Sequence, residues 1–116
     1  MSVNTELSII ADEIKESALQ LFSHSLKNVI LYGSYARGDS DDKSDIDIFI
    51  LVDLAAADLA NYNEEISKIA SRLSLETQHC TTVSIVIQDF ATYKKYQDYL
   101  PYFKNIRSEG VVLYAS

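Results

Sequence analysis

The feature that most constrains this chain is an eight-residue run, Asp45 to Val52 (DIDIFILV). After Asp47 it is apolar throughout and rich in β-branched residues. A strand with one wet face alternates apolar and polar side chains. An unbroken run marks a central strand buried on both faces. A strand of that kind commits the chain to a sheet covered by helices.

The remaining segments supply the cover. Residues 5–23 place Leu7, Ile10, Ile14, Leu21 and Phe22 at helical spacing, with Glu6, Asp12, Glu13, Lys15 and Glu16 off that stripe. Asn4 or Thr5 is placed to cap this helix. Asn28 to Tyr32 (NVILY) reads as a strand that ends at Gly33. Residues 34–38 (SYARG) read as one helical turn and residues 39–44 (DSDDKS) as a polar loop. Helical spacing returns over residues 55–75, and Thr82 to Ile87 is a third strand. Two short helices follow, over 89–97 and 101–108, separated near Pro101. Gly110 suits a left-handed residue after the second, and Val111 to Tyr114 forms a last strand. The expected fold is α/β (α+β), a small mixed sheet flanked by helices. With 116 residues the chain is expected to be one domain, 1–116.

Charge and cysteine content narrow the function. Ten Lys plus Arg against seventeen Asp plus Glu leave a net charge of −7, which argues against direct nucleic-acid binding. One local phosphate site held by a metal stays compatible with it. Cys80 is the one cysteine, so an internal disulfide and a multi-cysteine zinc site are excluded. A reducing, cytoplasmic setting fits. Acidic residues interrupt the N-terminal apolar positions, so no signal peptide is read there. No apolar run approaches the roughly 18 residues of a membrane span.

The chemistry concentrates between Gly33 and Asp47. On a strand, Asp45 and Asp47 project to one face with Cβ atoms roughly 6–7 Å apart. Carboxylates so placed grip one or two hard cations, of which Mg²⁺ takes its other ligands from water and substrate phosphates. Gly33 and Ser34 fall where a strand gives way to a helical turn. Glycine admits close backbone approach, and free N–H groups with a hydroxyl favour a phosphate. Other phosphate motifs fit worse. The Walker loop needs Lys-Ser/Thr after its second glycine, but Asp39-Ser40 follow Gly38, and the Rossmann glycine pattern is absent. A calcium loop starting at Asp39 would have Ser44 where glycine belongs and Ile50 where glutamate belongs.

Gly33-Ser34, ten residues, then Asp45-Ile46-Asp47 resembles the signature of the DNA polymerase β-like nucleotidyltransferase superfamily. The longer string from Gly33 to Ile48 is similar to that of its small branch, the minimal nucleotidyltransferases, and most of the chain shares in the likeness. The resemblance implies transfer of a nucleoside monophosphate from a triphosphate, with Mg²⁺ as cofactor and pyrophosphate as leaving group. It implies Asp45 and Asp47 as catalytic residues and metal ligands. Gly33 and Ser34 would hold the triphosphate of ATP or another nucleotide, with Arg37 and Ser44 as further nucleotide-binding residues. It also implies a partner. Minimal members are often encoded beside a HEPN-domain toxin, usually a ribonuclease, and some act as antitoxins by placing AMP on a toxin tyrosine.

The chain departs from the family on one strand. Many members carry a third carboxylate there, whereas the position here is Ser84, with Asp89 just beyond the expected strand end as a substitute if the register shifts. That departure motivates a second reading, a binding antitoxin that neutralises by occlusion. A third reading is transfer to a small molecule of the aminoglycoside type. The chain spends nearly all its length on the sheet and its helices, so a second protein is expected to supply the acceptor's wall. An α/β domain this small often pairs, with itself or with another chain.

Other residues carry blander expectations. Arg37 pairs with Asp39, Asp41 or Asp42, or else contacts a phosphate; those three aspartates form a solvated loop. Tyr93, Tyr96 and Tyr99 share a helix face as core or partner interface. Tyr35 flanks the nucleotide. His24, His79 and Cys80 are structural.

Overall fold

A computed structural model describes residues 3–38, 45–77 and 82–116. The expected loop 39–44, with Ser44, Asp39, Asp41 and Asp42, lies outside the described residues, as do His79 and Cys80. Four strands form one sheet in the order β3-β2-β1-β4. They are β1 (Leu26–Tyr32), β2 (Ile46–Val52), β3 (Val83–Asp89) and β4 (Val111–Ala115). β1 runs antiparallel to both β2 and β4, while β2 and β3 are parallel, so the sheet is mixed as expected.

The parallel pair requires a crossover, which is α3 (Asn63–Glu76). It packs with α1 (Val3–Phe22) on one face of the sheet. There Leu26, Val29 and Leu31 of β1 and Ile46, Ile48, Ile50 and Val52 of β2 meet Ile10, Ile14, Ala18, Ile66 and Leu73. On the opposite face Ile30, Phe49 and Leu51 meet Tyr93, Phe103 and Ile106. These last three belong to α4 (Phe90–Tyr96) and α5 (Pro101–Glu109). Phe49 packs on the rings of Tyr93, Tyr102 and Phe103 at centroid distances of 6.0, 6.0 and 6.2 Å. β2 is thus buried on both faces, the arrangement its composition requires.

Several expectations need correction. The segment expected as one helix over 55–75 divides into a 3₁₀ stretch, Ala56–Tyr62, and then α3. In a 3₁₀ helix residues i and i+3 eclipse, so Leu59 and Tyr62 reach the core from one side while their neighbours stay exposed. Gly110 is extended, at φ −71°, and so not left-handed. It is glycine for space, because a Cβ there would collide with the Ile106 carbonyl oxygen and a methyl of Ile30. The tyrosine stripe also breaks up. α4 ends at Tyr96, Tyr93 is core, and Tyr99 stands 76% exposed in the turn beyond. Tyr35 is buried in the core with α1 and the first sheet face, so it is a packing residue.

Candidate functional site

The site forms where β1 ends and β2 begins. After Tyr32 the chain turns through Gly33, at φ +80°, into the single turn α2 (Ser34–Arg37). The Arg37 N–H donates to the Gly33 carbonyl at 3.1 Å and closes that turn. Positive φ favours glycine here, and crowding demands it. A Cβ on Gly33 would lie 2.5 Å from Oδ2 of Asp47. The strand register produces this contact, since Tyr32 stands opposite Asp47.

Strand alternation sets which way Asp47 faces. Ile46 and Ile48 point into the α1–α3 core, so Asp47 points to the α4–α5 side with Tyr32 and Phe49. Burial pushes the Asp47 carboxyl above the usual carboxylate range. The negative charge of Asp45 adds to the rise, and the positive charge of Arg37 opposes it. Asp45 is exposed and lies one residue before β2, where the sequence placed it inside the strand. Its charge nevertheless acts on Asp47 from two residues away.

Arg37 ends α2, half exposed, with Nη1 3.6 Å from Oε2 of Glu109 at the end of α5. That partner comes from the far end of the chain, whereas the pairing expected with Asp39, Asp41 or Asp42 lies outside the described residues. Ser34 opens α2, and its side chain is outside the described residues. Beside Gly33 lies a cavity of about 230 Å³ lined by Tyr32, Gly33, Arg37, Tyr102, Asn105, Ile106 and Glu109. The hydroxyls of Tyr32 and Tyr102 lie 3.0 Å apart across it. Burial first, then the hydrogen bond and proximity of Tyr102, and then Asp47, push the Tyr32 phenol well above its ordinary value. Tyr32 therefore stays protonated. Sequence reading missed Tyr32, Tyr102 and Glu109. Tyr32 adjoins the motif and could have been found, but nothing local ties α5 to Gly33.

On the other side of β2, Ser84 stands opposite Asp47 in the parallel register. Val83 and Ile85 pack into the α1–α3 core, so Ser84 shares the face of Asp47. Asp89 is no substitute carboxylate. It pairs with Val52 at the other end of β3, about 17 Å away at strand rise. It is buried at 4% exposure and caps α4, accepting from the Thr92 N–H at 2.9 Å. Among the described residues no group of three His, Cys, Asp or Glu could hold a metal ion.

A glycine turn and a carboxylate pair joined across two strands, on a mixed sheet with helices on both faces, define a nucleotide-handling transferase core. Residues 11–114 match the nucleotidyltransferase domain family, and the chain belongs to it. A proposed protein adenylyltransferase of Methanocaldococcus jannaschii is 42% identical over 71 residues, 61% of this chain and 70% of that protein. A second from the same organism is 28% identical over 86% of this chain and 98% of its own length. Among solved structures, a toxin–antitoxin with AMP-PNP aligns over 91% of this chain and 73% of that one, with TM-score 0.53 and 20% identity. The spectinomycin adenyltransferase of Enterococcus faecialis, with ATP and spectinomycin, aligns over 81% of this chain and 37% of its own, with TM-score 0.57 and 12% identity. These two likenesses are of fold.

Proposed function

We propose that this nucleotidyltransferase transfers AMP from Mg-ATP to a hydroxyl of a partner protein. The partner that the minimal nucleotidyltransferases suggest is a HEPN-domain toxin, with a tyrosine as acceptor and this chain as antitoxin. The carrying observation is the contact of Gly33 with Asp47, which joins a backbone turn suited to phosphate and a carboxylate suited to a cation. The Methanocaldococcus relatives, both proposed protein adenylyltransferases, support a protein acceptor. The toxin–antitoxin that shares the fold was solved with AMP-PNP, in keeping with a toxin partner and an adenine nucleotide.

The residues suit Mg²⁺. Asp47 has its carboxyl raised by burial and by Asp45, and a hard cation between the two would relieve that repulsion. Mg²⁺ held by Asp45 and Asp47 would neutralise phosphate charge. The other roles belong to the chain itself. Gly33 and Ser34 receive the β- and γ-phosphates, and Arg37 adds positive charge at the same end. The acceptor oxygen forms its bond to the α-phosphorus as the bond to the bridging oxygen breaks. Pyrophosphate leaves, and the acceptor's proton passes to solvent.

Ser84 favours one other reading, neutralisation by binding alone. The test mixes the chain with α-labelled ATP, Mg²⁺ and the protein encoded by the adjacent gene, then records intact masses. AMP on that protein, absent with Asp45→Asn/Asp47→Asn, is the expected result. A stable complex with no mass gain overturns transfer in favour of occlusion.

A further inference from the structure

The two neighbours of Asp47 are unlike. On the β1 side stands the Gly33 turn, with Arg37 and its partner Glu109. On the β3 side stands Ser84, in register with Asp47 and on the same face. Phosphoryl transfer runs in line, with attacking and leaving oxygens on opposite sides of the phosphorus. If the leaving pyrophosphate lies at Gly33, the acceptor enters over β3, at Ser84. This inference rests on the proposed transfer. Adjacent strands lie about 4.8 Å apart, so a side chain at position 84 is a near neighbour of the incoming oxygen. Two residues further along that face, Val86 is 39% exposed, so β3 is open there to an apolar acceptor.

A carboxylate at position 84 would serve as base for that oxygen, and a serine does not. Among the described residues, the carboxylates near the site other than Asp45 and Asp47 are engaged. Asp89 caps α4 at the far end of β3, and Glu109 pairs with Arg37 beyond β1. An acceptor arriving at Ser84 therefore meets no positioned base on β3 among the described residues. Aliphatic hydroxyls are as weakly acidic as water, whereas the tyrosine phenol is a far stronger acid, with a pKa of about 10. We infer that Ser84 is a specificity-determining position that restricts the acceptor to acidic hydroxyls, phenols above all, and excludes serine, threonine and sugar alcohols.

The test uses the intact chain, Mg-ATP and three versions of one short synthetic peptide, carrying tyrosine, difluorotyrosine or serine at its centre. AMP transfer is measured by mass for the wild type, Ser84→Asp and Ser84→Asn. The wild type should modify difluorotyrosine faster than tyrosine and leave serine untouched. A positioned base is worth about 10²–10⁴-fold in rate. Ser84→Asp should thus raise the serine-to-tyrosine rate ratio by at least about 10²-fold and flatten the preference for the more acidic phenol. Ser84→Asn, similar in size but no base, should leave the wild-type ratios in place. Equal use of serine and tyrosine by the wild type overturns the inference, as does an unchanged ratio in Ser84→Asp, and both leave AMP transfer standing. No transfer to any peptide or to the adjacent-gene protein, by any variant, overturns the transfer reading and this inference with it.

Discussion

The Oδ2 atom of Asp47 and the α-carbon of Gly33 occupy neighbouring space with no room for another carbon, since a Cβ on Gly33 would lie 2.5 Å from that oxygen. Two penalties therefore coincide in Gly33→Ala. One is the left-handed backbone, at φ +80°, and the other is the collision with the carboxylate. The substitution should cost about 2–3 kcal/mol in stability and abolish Mg-ATP binding. Thermal unfolding and calorimetric titration measure these. Asp47→Ala in the same chain should restore at least about 1 kcal/mol of the stability but none of the binding, and strict additivity of the two changes would refute the contact.

Asp47 also predicts a pH response. Burial and Asp45 hold its folded pKa above the ordinary carboxylate value, so the folded chain keeps that proton more tightly than the unfolded chain. The stability it contributes is present below the ordinary range and lost as pH rises through the raised value. Metal-free protein at neutral pH should therefore gain melting temperature on Asp47→Asn. Mg²⁺ should stabilise the wild type and not this variant. Melting curves in chelator, with and without added Mg²⁺, decide it.

Asp89 predicts the opposite slope. Burial alone would raise its pKa, but hydrogen bonds from Thr92 and Gln88 more than offset this and hold it below the usual range. Its contribution is full above the unfolded carboxylate value and lost as pH falls through the depressed folded one. Asp89→Ala removes the α4 cap and should cost about 1–2 kcal/mol at neutral pH. In acid the difference from wild type should shrink, as urea unfolding at several pH values would reveal.

Arg37 separates binding from stability. Its ion pair with Glu109 is half exposed and 3.6 Å long, so losing it should change stability by no more than about 1 kcal/mol. Its charge acts on Asp47, at the end of the site proposed to take the phosphates. Arg37→Ala should therefore weaken Mg-ATP binding about tenfold, on the scale of one charge-assisted hydrogen bond. An unchanged dissociation constant by calorimetry would confine Arg37 to its pair with Glu109.

Much of this was legible in the chain because the signals are local. The apolar run of β2 announces burial on two faces, and the spacing from Gly33 to Asp47 marks the site before any contact is known. What stayed hidden depends on distant residues. Tyr32 meets Tyr102 across 70 positions, and Arg37 meets Glu109, because α5 folds back over the sheet. Gly110 reads as a helix terminator, yet its reason is the methyl of Ile30 on another strand. Asp89 reads as a spare carboxylate, when the N–H of Thr92 makes it a cap. Tyr35 sits within the motif by number and within the core by geometry. Ser84 lies in the third strand, as the sequence implies, but its place opposite Asp47 comes from the parallel register of β3 with β2.

The pairing of Tyr32 with Asp47 bears on how the chain finds its fold. Because side chains alternate, a slip of one residue between β1 and β2 would turn Asp47 toward Ile10, Ile14 and Leu73, away from the open side. Lodging an unpaired carboxylate in that greasy layer would cost several kcal/mol, a large share of what holds a domain of this size together. β2 is otherwise so uniformly apolar that either of its faces would be welcome in either core. The aspartate is the mark by which the strand tells its two sides apart, so misaligned sheets are penalised by the same group that would carry the chemistry.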